Sequence, residues 1–349
     1  MLNDPFKKIS LDRTIQLECD TSLEGVEVAY HAYGTLNDTQ SNVVLVLHAL
    51  TGTSAAQEWW NGLIGTGRIL DPNQYFIIAP NLLGSCYGTT GPESIDPKTG
   101  ALYLASFPSI TPRDIARVNL ALLDKLNIER VHLAIGGSLG GMVVLEMASL
   151  APDRFDAIVP IAVSGQHSAW RLAFSSFVRK TIVAHDPTLQ DRTKLLAGLR
   201  LARQAAMITY RSSAEFDFRF GRETSNGRFE VENYLEHQGE KIVARFSPYS
   251  YLTLTRAMEL YDLSRDQRSL EEVAASISVP ALFVGISSDI LYEPEEIELF
   301  AKLFPNSDYQ TLDAIHGHDS FLVDQDVLAE VIRPFLHTRN VKTLLEAVV

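Results

Sequence analysis

The chain alternates short runs that are apolar on both faces with stretches of helical periodicity. Residues 43–48 (VVLVLH), 75–80 (YFIIAP), 131–137 (VHLAIGG), 157–163 (AIVPIAV) and 280–286 (PALFVGI) are of the first kind, and residues 309–314 form a further strand candidate. A strand without a polar face must be covered on both sides, as in a parallel sheet between two helix layers. Helical runs lie between the strands. The one over 111–126 opens on Thr-Pro, a cap followed by a first-turn proline, and another begins near Glu293-Pro294. Strand and helix in strict alternation predict an α/β fold with a mostly parallel, doubly wound sheet.

The alternation lapses between residues 165 and 268, where helical pieces are punctuated by Gly221, Asn226, Gly227 and Gly239. The expected organisation is a core built from 1–164 and 269–349, interrupted by a helical lid over 165–268. Charge supports a distinct character for this insertion. The whole chain has 30 Lys/Arg against 43 Asp/Glu, a net charge of −13. Residues 166–228 alone carry 11 Lys/Arg against 5 Asp/Glu, leaving −19 on the rest. Such a segment is either a set of solvated helix faces or a basic cap over a site that receives an anionic substrate.

Composition narrows the classes of function. With 46% hydrophobic and 21% charged residues, the 349-residue chain can bury a large core. The acidic balance excludes nucleic acid or an anionic membrane as the main partner, since both require a basic footprint. Only two cysteines occur, Cys19 and Cys86. That excludes a disulfide framework and a cysteine-rich zinc site, and no metal is expected. The longest apolar run, near 43–47, is too short to span a bilayer, and the opening MLNDPFKKISLDRT has no apolar stretch of the secretory kind. No internal repeat is evident. A cytoplasmic location is expected.

The densest chemical signal is Gly136-Gly137-Ser138-Leu139-Gly140-Gly141, set between an apolar strand and the helical run 142–150. Residues 137–141 satisfy G-x-S-x-G, the elbow that lifts a serine nucleophile above a sheet edge. Small neighbours are needed because strand and helix pass close to the turn. The N–H of Leu139, at the helix start, can meet a developing oxyanion. A serine requires a base, and the base an orienting acid, which follow in the order Ser, Asp, His. Asp289 stands just after the strand 280–286, with Asp313 as a weaker alternative. Two histidines, His316 and His318, lie near the C-terminus, and position favours the second. The other oxyanion donor should follow strand 43–47, where Leu50 N–H is the candidate and His48 is read as fixing the loop. The glycine- and hydroxyl-rich stretch 81–91 leaves the same sheet edge.

Taken together, HALTG (48–52), GSCYGTTGP (84–92), GGSLGGM (136–142), FGR (220–222), YLEHQGEKIVARFSPYSYLTLTRAM (234–258), SSD (287–289) and GHDSFL (317–322) resemble the homoserine O-acetyltransferases of the α/β-hydrolase superfamily. The resemblance implies an α/β-hydrolase fold with Ser138 as nucleophile, Asp289 as acid and His318 as base, and it settles the choice of histidine. It implies ping-pong transfer of an acetyl group from acetyl-CoA, a substrate rather than a cofactor, to the hydroxyl of L-homoserine in methionine biosynthesis. Leu50 and Leu139 would hold the oxyanion. Arg211 would take the amino-acid carboxylate, Asp319 its ammonium, and the lid would join two copies in a homodimer. Tyr87 stands where many family members carry a basic residue, and the connection over 53–60 is compact. Both bear on the choice of substrate, so a succinyl-CoA donor, a serine acceptor or an esterase or thioesterase with the same triad remain the alternatives.

Overall fold

The computed structural model describes residues 6–264 and 268–346. Residues 1–5 and 347–349 of the expected core and 265–267 of the expected lid lie outside the described residues. Eight strands form the central sheet: β1 (Lys7–Ser10), β2 (Glu27–Tyr33), β3 (Val43–Leu47), β4 (Phe76–Pro80), β5 (Leu133–Gly137), β6 (Ile158–Ile161), β7 (Ala281–Ile286) and β8 (Ser307–Leu312). Their order across the sheet is β1-β2-β4-β3-β5-β6-β7-β8. β2 pairs antiparallel with β1 and β4, and every other pairing is parallel. The doubly wound, mostly parallel sheet agrees with the apolar runs: β3 to β7 are one to three residues shorter than their runs, and β8 begins two residues before the run expected at 309–314.

All five residues of β3 are buried, and alternation along it divides them between the two faces. Val43, Leu45 and Leu47 enter the core on one side, Val44 and Val46 the core on the other. The predicted helix over 111–126 is α1 (Pro112–Lys125). Thr111 caps it by accepting from Asp114 N–H, while the Asp114 carboxylate accepts from Thr111 N–H. α2 (Leu139–Leu150) follows β5 directly.

Within 165–268 the chain forms α3 (Ala169–Val183), α4 (Arg192–Tyr210), α5 (Ser213–Arg219), α6 (Glu230–Val243) and α7 (Pro248–Glu259). A two-residue hairpin, Thr224–Ser225 with Arg228–Phe229, separates α5 from α6. Beyond it, α8 (Pro294–Ala301) lies between β7 and β8, and α9 (Gln325–Glu346) ends the described chain. Among the described residues no helix is long and apolar enough to cross a membrane.

The topology decides where a site can form. From β3 the chain crosses to β4 on one side, then returns to β5 on the other. Loops leaving the carboxyl ends of β3 and β5 therefore diverge and open a crevice, the usual ligand position in open α/β sheets.

Candidate active site

Ser138 sits between β5 and α2 with φ +55° and ψ −121°, a conformation disfavoured for a residue with a Cβ. The flanking glycines make this turn sterically feasible. A Cβ on Gly136 would lie 2.6 Å from the carbonyl carbon of Gly140, and one on Gly137 would lie 2.5 Å from the Phe321 ring. The Ser138 hydroxyl does not cap the helix it opens and makes no hydrogen bond among the described residues. It lines a cavity of about 560 Å³.

Asp289 and His318 arrive from the ends of β7 and β8. His318 Nδ1 lies 2.6 Å from Asp289 Oδ2, with both side chains buried. The other carboxylate oxygen, Oδ1, accepts from the N–H groups of Leu291 (2.8 Å) and Tyr292 (3.1 Å). Burial alone would lower the imidazole's affinity for a proton. The facing Asp289 carboxylate outweighs it and holds the pKa of His318 above its ordinary value. Tyr292 lies nearly parallel to the imidazole, 5.3 Å between centroids, and the Arg171 guanidinium is 4.3 Å from the centre of the Tyr292 ring. His318 lines the same cavity as Ser138, although no hydrogen bond joins them. Such bonds often tighten only with substrate in place.

The competing candidates lie elsewhere. His316 Nδ1 is 2.8 Å from Asp324 and is not part of the cavity wall. Asp313 is exposed and accepts from the Ser287 hydroxyl.

Leu139 is the first residue of α2, where N–H groups have no intrahelical acceptor. Leu50 follows β3 and lines the cavity. No acceptor takes either N–H among the described residues. His48, two residues before Leu50, is buried. It contacts Ala49 O through Nδ1 (2.8 Å) and receives Leu82 N–H on Nε2 (3.1 Å).

Arg211, the expected carboxylate ligand, stands beside Asp319 next to the cavity. Arg211 is the C-cap of α4 in an extended conformation, so its side chain leaves the helix face. Its guanidinium pairs with Glu215 (3.0 Å) and Asp319 (3.3 Å). Asp319 does face the cavity, with Arg211 behind it. The cavity is also lined by Arg171, Arg245 and Arg203; the last, also on α4, forms no ion pair among the described residues and lies 5.4 Å from the centre of the Tyr210 ring. The seven-residue spacing of Arg203 and Tyr210 is two helical turns, which sets both on one face of α4.

The basic surplus of the insertion is largely neutralised. Arg171, Arg179, Arg192, Arg200, Arg219 and Arg228 pair with acidic residues, as Arg211 does. Arg245 has neutral partners at the cavity mouth: Thr51 O (2.7 Å) and the Tyr87 hydroxyl (2.9 Å), which itself donates to Arg245 O (3.0 Å). Tyr87 thus ties the loop after β4 to the segment between α6 and α7. No group of three or more His, Cys, Asp or Glu is placed to hold a metal ion among the described residues.

Comparison with known proteins places this geometry in context. The family described as alpha/beta hydrolase fold matches residues 42–325. Homoserine O-acetyltransferase of Chlorobaculum tepidum is 43% identical over 344 residues, 96% of each chain. The enzyme of that name from Nostoc punctiforme is 46% identical over 329 residues, covering 91% of this chain and 92% of its own. Among solved structures, homoserine O-acetyltransferase from Staphylococcus aureus superposes with TM-score 0.80 at 26% identity, covering 95% of this chain and 94% of its own. Esterase E22 superposes with TM-score 0.86 at 25% identity, covering 95% and 99%.

Proposed function

Since the chain belongs to the homoserine O-acetyltransferase family of the α/β-hydrolase fold, we propose that it transfers an acetyl group from acetyl-CoA to the hydroxyl of L-homoserine, through an acetyl ester on Ser138. The acceptor is what separates this reaction from ester hydrolysis, and fold alone does not decide it. One observation carries the choice: Arg203 and Asp319, of opposite sign, face the same cavity as Ser138 and His318. That is the complement of a zwitterion. A planar guanidinium suits the amino-acid carboxylate and a carboxylate suits its ammonium.

In the first half-reaction Ser138 Oγ attacks the thioester carbonyl as His318 takes the hydroxyl proton. The oxyanion is received by the N–H groups of Leu50 and Leu139. Collapse breaks the C–S bond, and the leaving thiolate takes the proton from His318. In the second half, His318 removes the proton of the homoserine hydroxyl, whose oxygen attacks the acyl ester. Collapse then returns the proton to Ser138 and releases O-acetyl-L-homoserine. Asp289 holds the imidazole with its proton on Nδ1, leaving Nε2 to act.

The lid segment 165–268 roofs the site in this reading and keeps water from the acyl-enzyme. Exposed Trp170, Phe177 and Ile208 on it support the expected homodimer. Methionine biosynthesis in the cytoplasm is the setting that the activity implies. A succinyl donor is the second reading, favoured by Arg245, which has no acidic partner among the described residues and stands beside Thr51 and Tyr87.

Thiol release tests these alternatives. Acetyl-CoA or succinyl-CoA is supplied with homoserine, with serine or with water alone. Rapid release only with acetyl-CoA and homoserine supports the proposal. Equal release with water alone refutes transfer, and release with succinyl-CoA alone replaces the donor.

A further inference from the structure

The Ala49 carbonyl and the Leu50 N–H belong to one peptide group. No peptide bond among the described residues is cis, so these two dipoles point in opposite directions. Two donors grip the carbonyl: His48 Nδ1 at 2.8 Å and Gly52 N–H at 2.9 Å. With its oxygen held there, the peptide must turn its N–H the other way.

The tautomer of His48 follows from its two contacts. Nε2 receives the Leu82 N–H at 3.1 Å, so it carries a lone pair, and the ring proton is on Nδ1. The imidazole therefore bridges two loops. It anchors to the backbone after β4 with one nitrogen and orients the peptide after β3 with the other. His48 is buried, which keeps the ring neutral, with a pKa lowered to about 4. Close packing fixes the ring as well: a Cβ on Gly52 would fall 2.7 Å from that of His48.

We infer that His48 is a positioning residue of the oxyanion hole, setting the direction of the Leu50 N–H through the Ala49 carbonyl. The inference rests on Leu50 N–H meeting the oxyanion, as in the proposed mechanism. Both half-reactions pass through an oxyanion at the same place, so a misdirected Leu50 N–H slows both.

Two substitutions separate the two nitrogens. His48→Asn offers an N–H near the position of Nδ1 and keeps the grip on Ala49 O. His48→Gln reaches toward Leu82 and gives up that grip. Loss of one oxyanion donor costs about 10²–10³ in rate, so misdirecting it should lower kcat by about ten- to a hundredfold in His48→Gln. His48→Asn should stay within about threefold of wild type, and the KM for homoserine should hardly move in either. Acylation by acetyl-CoA alone, followed in a single turnover, should slow by the same factor as transfer. Equal rates for the two variants would overturn the inference, as would a loss confined to one half-reaction. A readout on the wild-type enzyme does not depend on the variants folding: 15N NMR of His48 should show the proton on Nδ1, and a proton on Nε2 would contradict the inference. Acylation that survives Ser138→Ala would refute the underlying mechanism. Ser138-dependent acylation indifferent to His48→Gln would refute the role of His48 alone.

Discussion

Asp319 faces the cavity with Arg211 directly behind it, Oδ2 to Nε 3.3 Å. Arg211 thus holds the carboxylate that takes the substrate ammonium in the proposed function. Its loss should therefore appear first as instability. Arg211→Ala leaves the half-buried Asp319 without its cation and the buried Glu215 with Arg219 alone, so the loss should fall below the roughly 3–5 kcal/mol of a fully buried pair. Thermal denaturation should show the drop.

Arg203 should behave differently. Hydrogen bonds to charged groups contribute about 1.5–3 kcal/mol, so Arg203→Ala should raise the KM for homoserine roughly ten- to a hundredfold, with thermal stability nearly unchanged. Arg203→Lys should recover only part of the loss, because an ammonium cannot form the paired contact. Steady-state kinetics with varied homoserine would measure both, and a KM unchanged in Arg203→Ala would remove it from the site.

The pH dependence of kcat/KM follows from His318. It acts as a base only when neutral, and Asp289 raises its pKa above the ordinary imidazole value. The acid limb should therefore have its midpoint above about 6.5. Asp289→Asn should move that limb downward and reduce kcat on the order of 10⁴-fold, since the tautomer is no longer enforced. An acid limb below the ordinary value would contradict the pairing.

Gly136→Ala should unfold the elbow. The new Cβ would meet the Gly140 backbone at 2.6 Å, where nothing flexible can yield, and a cost on the order of 3 kcal/mol is expected. Gly100→Ala is the control. Its Cβ meets nothing within 4 Å and only a φ of +71° opposes it, so about 1 kcal/mol should be lost. Chemical denaturation of the two variants would check the contrast.

These residues show how far the sequence could be read. The elbow was legible because its physics is local: strand, small residues and helix are contiguous. The strands β3 to β7 were legible because burial on both faces leaves no polar position in them. β1 and β2, at the sheet's antiparallel end, were missed, since Lys7, Lys8 and Ser10 in the first and Glu27 and His31 in the second interrupt an apolar pattern. The direction of the Arg211 side chain was not legible for another reason. Its backbone leaves the helix at the C-cap, and one residue's change of conformation redirects the side chain. The tautomer of His48 depends on Leu82, 34 residues away in the chain, and no local pattern encodes it.

Stability should fall in acid through two buried histidines. Burial lowers the pKa of His48 to about 4 and that of His167 to about 3. The unfolded chain takes up their protons near 6.5, so between about 6.5 and 4 it binds more protons than the folded one and stability drops as pH falls. His318 has the opposite sign: its contribution is complete below about 6.5 and is lost as pH rises through its raised folded value. Urea midpoints from pH 4 to 8 should show the acid decline, and His48→Asn should reduce its slope.

The central claim is that Ser138 carries the acyl group between two substrates. Intact mass spectrometry after brief exposure to acetyl-CoA, with homoserine absent, tests it most directly. The wild-type chain should gain one acetyl group and lose it when homoserine is added, while Ser138→Ala should gain none. Acetylation of Ser138→Ala, or a wild-type adduct that homoserine cannot discharge, would contradict the account.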